Sequence, residues 1–430
     1  MNFQKLKANF SEHNKFVKNS AVLFAGSLIT SLLNYVFHLV IGRQVSVAVY
    51  GQAEALISLI VIISVPAATL TMVATKYGAA CKADGNKQGS REILTYLNKK
   101  VFKFGLPIFL VMVLLTSIIG KFLNVTNNLA LILVWIAVFI SFFNAVNTGL
   151  LNGWQKFKQV SLSSVYFTIV KLISGFILVA FGFALNGIIG SLLLSTIAAY
   201  ALILWYLRAC VTKRTNNNEA PCKKTIDFKS LSRYAVPVFA GNIAVTILGY
   251  GDMVLAKHNL SELAAGQYGA LTVTSKVIFF TTGVIAGVLF SMSAENSHKG
   301  NSSLHILKVA LLLVFGASLF ATIIYFLFPI LILSVLFGSK YQDVAPYLGW
   351  FAVVVTLYSL SNVIFQYLLS IHKTKVSWAL LAISTVALVA FVTGGKSINA
   401  MLTINIIAQI AAVIVGSFFL LRKKEANSLR

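Results

Sequence analysis

Residues Gly51–Leu70 read GQAEALISLIVIISVPAATL, with one carboxylate at Glu54 and no further charge to the end of the run. A bilayer's hydrocarbon core is roughly 30 Å thick, and a helix of about 20 mostly apolar residues crosses it. Lipid offers backbone N–H and C=O groups no partner, so a segment entering it must close its own hydrogen bonds as a helix. Working outward from this run, the sequence predicts twelve spans: 18–41, 50–74, 104–122, 129–150, 161–182, 185–208, 233–256, 267–293, 307–335, 346–370, 376–394 and 398–421. Strands of a membrane barrel would show short alternating segments instead. Composition agrees: 58% of the 430 residues are hydrophobic and 11% charged, with a mean hydropathy of +0.85. Soluble chains carry about 25% charged residues. A single soluble domain, a disordered chain and a secreted disulfide scaffold are excluded.

The formal charge is +24. On a soluble chain this excess would suggest a nucleic-acid partner. Here it sorts by side of the membrane. Of 35 Lys and Arg, 28 fall in the N-terminal tail, the loops after even-numbered spans and the C-terminal tail. The opposite loops hold only Arg43, Lys121, Lys257, Lys340 and Lys396, and Lys171 and Lys276 lie inside spans. By the positive-inside rule both termini are cytoplasmic, and no nucleic acid is implied. The first span is too long for a signal peptide and lacks a small-residue cleavage site, so it reads as a retained helix. Cys81, Cys210 and Cys222 lie at or near the cytoplasmic side, where thiols stay reduced.

The sequence also repeats itself at half its length. Shifted by 215 residues, Phe24-Ala25-Gly26 meets Phe239-Ala240-Gly241, Gly51-Gln52 meets Gly266-Gln267, Ala55-Leu56 meets Ala270-Leu271, and Gly85-Asn86 meets Gly300-Asn301. The expectation is an all-α polytopic membrane protein whose two six-helix bundles, 18–208 and 233–421, are related by a pseudo-twofold axis along the membrane normal. Tails at 1–17 and 422–430 and a linker at 209–232 complete the chain. Arg214–Pro221 (RTNNNEAP) is the natural hinge within that linker.

An ionisable group at bilayer depth costs about 2.5–3.5 kcal/mol on insertion scales, so each needs a reason. Glu54 and His38 lie near the outer surface, where water can reach them. Asp252 stands in Gly249-Tyr250-Gly251-Asp252, whose glycines let backbones pack closely. Lys171 is near the middle of span 5, and Lys276 is a third of the way down span 8. Both cations are expected to line a polar cavity and bind an anion; snorkelling, or a Lys276–Asp252 pair, is the alternative. Asp252 and Glu54 are the candidate ion-coupling groups. Asn144, Asn147, Asn362 and Gln366 are candidate sugar-binding amides, and interhelical hydrogen bonding is the plainer role for such residues. Asn34, Asn242, Asn405 and Gln409 add further polarity.

Soluble chemistry is missing. The outer loops are short, and there is no Walker A sequence, zinc-protease motif or nucleophile elbow. No enzyme activity, metal or cofactor is expected. Ser90–Phe104 (SREILTYLNKKVFKF) reads either as a basic amphipathic helix on the membrane surface or as a juxtamembrane topology signal.

The repeat-bearing segments resemble a known family. Val49-Tyr50-Gly51-Gln52-Ala53-Glu54-Ala55-Leu56, Tyr234-Ala235-Val236-Pro237, Asp252-Met253-Val254-Leu255-Ala256 and Ala265-Gly266-Gln267-Tyr268-Gly269-Ala270 are similar to segments of bacterial Wzx-type oligosaccharide flippases. These belong to the multidrug/oligosaccharidyl-lipid/polysaccharide (MOP) exporter superfamily. The resemblance implies a V-shaped transporter in the bacterial inner membrane with a cavity between its bundles. It implies a cargo of oligosaccharide on undecaprenyl pyrophosphate, flipped to the outer leaflet by alternating access for surface polysaccharide synthesis. H+ or Na+ would be the coupling ion, and a polysaccharide polymerase or glycosyltransferases would be candidate partners. A multidrug antiporter of the same superfamily is the alternative.

Overall fold

The computed structural model describes residues 3–211, 228–298, 304–371 and 373–421. The hinge Arg214–Pro221, Gly300-Asn301, Cys222 and the tail 422–430 lie outside them. Among the described residues the elements are all helical: α1 (Phe3–Gln44), α2 (Val47–Ile63), α3 (Val65–Ala83), α4 (Lys87–Leu114), α5 (Thr116–Phe122), α6 (Asn128–Gly153), α7 (Phe157–Ala180), α8 (Ala184–Val211), α9 (Phe228–Asn259), α10 (Glu262–His298), α11 (Leu304–Leu327), α12 (Pro329–Phe337), a 3-10 segment Ser339–Tyr347, α13 (Leu348–Ser370), α14 (Lys375–Gly394) and α15 (Ile398–Leu421). Among the described residues, ten spans are long and apolar enough to cross a membrane, or eleven when the bent pair α4–α5 is taken as one. The eighth predicted span, 267–293, lies within α10, part of which has side chains outside the described set. Leu114, Phe181 and Leu312 are each more than two-thirds exposed, as lipid-facing side chains are.

Helix ends recur at the same half-chain shift as the sequence matches. Gln44 and Asn259 end α1 and α9, Val47 and Glu262 begin α2 and α10, and Phe122 and Phe337 end α5 and α12. Even the caps correspond. Ser46 Oγ accepts the Val49 N–H and Ser261 Oγ accepts the Ala264 N–H, each at 3.3 Å, satisfying a first-turn donor that the helix itself cannot.

The chain forms two compact units. The first comprises Met1–Ile41, Pro66–Gly120 and Asn127–Ile226; the second comprises Gly42–Val65, Lys121–Thr126 and Asp227–Arg430. In the first, α8 packs on α6 and α7, and α4 on α6. In the second, α10 packs on α13, α9 on α14, and α2 against both α9 and α10. There the two equivalent glycines face each other: a Cβ on Gly51 would stand 2.7 Å from Gly266 Cα, and one on Gly266 would collide with the Val47 carbonyl oxygen. Only glycine permits so close a crossing.

Three expected spans are interrupted. Pro66 ends the α2 hydrogen-bond ladder, because it lacks an N–H and crowds the carbonyl four residues back. Its repeat partner, Thr281, leaves α10 continuous. Span 9 was expected to run 307–335, but α11 stops at Leu327 and Pro329 opens α12, since the residue before proline is disfavoured as helix. Span 3 bends by 58° between α4 and α5. There the Thr116 hydroxyl bonds back to the Met112 carbonyl and accepts from Trp135 Nε1, a bond of the kind that bends helices. The region Ser90–Phe104 is not a separate surface helix. It continues without a break into α4.

Two clasps close the second unit at repeat-equivalent positions. Arg43 Nε donates to the Leu336 carbonyl at 3.1 Å and its Nη2 to that of Val335, while Lys340 Nζ donates to the Val45 carbonyl at 2.6 Å. At the shifted position, His258 stacks on Phe122 at 4.0 Å with its Nδ1 on the Phe122 carbonyl, and Asn124 donates to the His258 carbonyl at 3.0 Å. In both, a basic side chain meets carbonyls that a short helix leaves open at its C-terminus.

The glycine crossing sets a stability test. Gly51→Ala or Gly266→Ala is expected to destabilise the detergent-solubilised protein by about 2 kcal/mol or more, as overpacking does. Gly316→Ala, where a Cβ meets nothing within 4 Å, should be neutral or slightly stabilising. Thermal unfolding of the three variants checks this.

Candidate functional site

In the first unit the polar centre is Lys171. Residues 34 and 37 stand one turn apart on α1 and face α7. Lys171 is buried, its ammonium donates to Asn34 Oδ1, and it lies 4.3 Å from the centroid of the buried Phe37 ring. Gly175, one turn along α7, makes room for that ring: a Cβ there would stand 2.6 Å from Phe37 Cε2. A desolvated cation–π contact is worth about 2 kcal/mol, so ring and amide together replace part of the lost hydration. Asn144 and Asn147 lie on α6. Asn147 is fully buried and its Oδ1 accepts from Asn98 Nδ2 of α4 at 3.3 Å. Asn147 Nδ2, Asn98 Oδ1 and Asn144 Oδ1 are buried without a hydrogen-bond partner among the described residues.

In the second unit the structure brings Glu54, Asp252 and Lys276 together. All three are buried. Asp252, on α9, accepts at Oδ2 from Tyr268 OH of α10 at 2.9 Å and from Asn405 Nδ2 of α15 at 3.0 Å. Its Oδ1 is buried without a hydrogen-bond partner among the described residues. Gln409, one turn beyond Asn405, donates to Asn405 Oδ1 and to the Leu248 carbonyl, which fixes the amide that holds the carboxylate. The Glu54 side chain reaches α10 from α2 and touches the bare Gly269: a Cβ there would be 3.3 Å from Glu54 Cγ. Lys276 Nζ sits 3.7 Å from the Tyr250 ring centroid, within electrostatic reach of both carboxylates. The glycines beside Asp252, expected to admit a neighbouring backbone, face side chains instead. Gly249 admits the Tyr358 hydroxyl, which would stand 2.5 Å from a Cβ at that position.

Asn362 and Gln366 follow Tyr358 at four-residue steps on α13, forming one polar stripe with Asn362 buried and Gln366 half-buried. Tyr358 packs against Phe279, and Ser359 accepts from Thr282. Lys171 and Lys276, expected as a pair of cations, belong to different units, each with its own surroundings. Among the described residues no group of three or more His, Cys, Asp or Glu is placed to hold a metal.

Asn34, Phe37, Tyr250 and Tyr268 were not singled out as site residues from the sequence. The two asparagines on either side, Asn34 and Asn405, carried the signal of amides at membrane depth. Phe37 carried none, because an apolar ring in an apolar span is indistinguishable from lipid-facing residues until its neighbour is known.

A sequence profile for the family described as "Polysaccharide biosynthesis protein" matches residues 16–297. A search of the curated proteins found no match. Among solved structures, the inward-facing conformation of a multidrug resistance MATE family transporter of the MOP superfamily superimposes with a TM-score of 0.73 at 14% identity, over 95% of this chain and 100% of that one. An outward-facing conformation of such a transporter gives 0.60 at 17% identity, over 93% and 94%. A MOP superfamily transporter from Pyrococcus furiosus, described by the reverse polarity of its binding pocket, gives 0.54 at 16% identity, over 93% and 95%. Identities this low establish the fold, which is that of the MATE transporters.

The Asp252 network yields a prediction. Tyr268→Phe removes one of two donors to a buried carboxylate oxygen and should cost about 1.5–3 kcal/mol, the usual worth of a hydrogen bond to a charged group. An unchanged melting temperature would show that Asp252 does not depend on Tyr268.

Proposed function

We propose, for a chain that belongs to the polysaccharide biosynthesis protein family, that it is a transporter and not an enzyme. It flips oligosaccharide linked to undecaprenyl pyrophosphate from the inner to the outer leaflet of the bacterial inner membrane by alternating access. The observation that carries this reading is the buried Lys171 ammonium, held by a neutral amide and an aromatic ring in a protein of this family. A cation kept at membrane depth suits an anionic cargo, and Lys276 offers a second cation in the other unit. The amides Asn144, Asn147, Asn362 and Gln366 are of the kind that hydrogen-bond sugar hydroxyls. Asp252 and Glu54 both act electrostatically on the Lys276 ammonium. Two carboxylates and one ammonium leave a formal charge of minus one, which one proton or sodium ion neutralises, and this is the proposed coupling site.

A second reading, a cation-coupled multidrug antiporter, is favoured by these same buried carboxylates and by the multidrug transporters that share the fold. It gives Lys171 no evident task.

Complementation separates the two. In a flippase-null strain the wild type is expected to restore surface polysaccharide, and Lys171→Ala and Lys276→Ala, at normal abundance, to restore little or none. Full restoration by both variants would refute the cationic site. On the flippase reading, overexpression leaves sensitivity to cationic dyes unchanged; Asp252-dependent resistance would favour the antiporter.

A further inference from the structure

Lys276 has a peculiar position for a cargo-binding cation, because it shares its surroundings with the two carboxylates assigned to ion coupling. Tyr268, Thr272 and Lys276 follow one another at four-residue steps on α10, so they form one stripe. A helical side chain leans toward its helix N-terminus, which carries the Lys276 ammonium back toward Thr272 and Tyr268. Tyr268 is the residue that holds Asp252, and the neighbouring Gly269 is where Glu54 rests. Thr272 Oγ1 is buried without a partner among the described residues, between the lysine and the aspartate's tyrosine. Tyr250, two residues from Asp252, takes the ammonium on its ring face at 3.7 Å. The ammonium therefore lies on a neutral aromatic face within electrostatic reach of two carboxylates.

We propose that Lys276 is a tethered cation that stands in for the coupling ion beside Asp252 and Glu54, and that an arriving proton or sodium ion takes over the carboxylate charge and frees the ammonium for the anionic headgroup of the cargo. This rests on the reading of the cargo as a prenyl pyrophosphate glycan and of Asp252 as the ion-coupling group. Its consequence is positive coupling: cation and anionic cargo each raise the other's affinity by the same factor, as linkage requires. Neutralising the cluster removes the attraction that keeps Lys276 among the carboxylates. The cargo anion then meets an available ammonium in place of a net negative cluster. Among the described residues, the titratable groups that bear on a pH response are Glu54 on α2 and Tyr250 and Asp252 on α9, which act on the ammonium itself, with Tyr268 on α10 and Tyr358 on α13 acting on Asp252 and Tyr341 in the 3-10 segment acting on Glu54.

The test is binding of farnesyl pyrophosphate to the purified full-length protein in neutral detergent. It is titrated against sodium at fixed pH with choline as the replacement cation, and separately against pH in choline. In the wild type the coupling cation should tighten binding about tenfold, within the usual range of coupling between sites; the arm that responds identifies sodium or the proton. Asp252→Asn, which carries the neutral form permanently, should bind the lipid as tightly without the cation as the wild type does with it. Lys276→Gln should bind more weakly and show no cation dependence. Wild-type binding that is equally tight in all sodium and pH conditions would overturn the tethered-cation inference while leaving an anionic cargo standing. Undiminished coupling in Lys276→Gln would do the same. No binding under any condition would refute the anionic-cargo reading and this inference with it. The wild-type titration needs no variant, so an unstable variant leaves the test intact.

Discussion

A hydrocarbon layer supplies neither a hydrogen bond to a backbone nor a counter-charge to a side chain, and every notable feature of this protein answers one of those two deficits. The backbone answer is helix, and at two of the helix ends side chains take over carbonyls that the ladder leaves open. Arg43 and Lys340 do so with the carbonyls at one outer clasp, and His258 and Asn124 do so at its repeat equivalent. The basic residues among them, Arg43, Lys340 and His258, thus serve as partners for backbone carbonyls at helix ends. The side-chain answer is a cage for each ion: an amide and a phenyl ring for Lys171, and a tyrosine hydroxyl with a braced asparagine for Asp252.

The repeat and the ions are informative together because they disagree. Helix ends and caps, and the facing pair Gly51 and Gly266, obey the half-chain shift closely. The buried charges do not. Asp252 stands where the first half has Phe37, and Lys171 corresponds to Val386 and Lys276 to Val61. The duplicated frame is thus common to both halves, while charge is distributed asymmetrically. Phe37 shelters a cation, and its counterpart Asp252 is itself the anion.

Much of this was legible in the sequence, for reasons that can be traced. Membrane helices were readable because the bilayer imposes length and apolarity on them, and the repeat because polar pairs such as Gly51-Gln52 recur at one shift. The interruptions at Leu115 and Phe328 were less legible, since each sits inside an apolar run and arises from a local hydrogen bond or a following proline. For Ser90–Phe104 the two readings stayed open because basic residues beside a span look alike whether their helix turns onto the surface or runs on, as α4 does. At the site, every buried charge announced itself, since charge at depth is rare. Phe37, Tyr250 and Tyr268 did not, because aromatic residues are at home in a span and acquire meaning only from the ion beside them. Asp252 and Lys276 lie 24 positions apart, and no local pattern joins α9 to α10 at that point.

The central claim, that the protein carries a glycan on a prenyl pyrophosphate across the membrane, is tested most directly by reconstitution. Purified protein would be placed in vesicles containing carrier-linked oligosaccharides extracted from its own host's membranes. Transfer would be read as the glycan fraction that becomes reachable by a lectin added to one side. The account predicts transfer that depends on an imposed proton or sodium gradient and is lost in Asp252→Asn and in Lys171→Ala. Glycan that stays in its original leaflet under every gradient, while the same vesicles move a cationic dye, would contradict it.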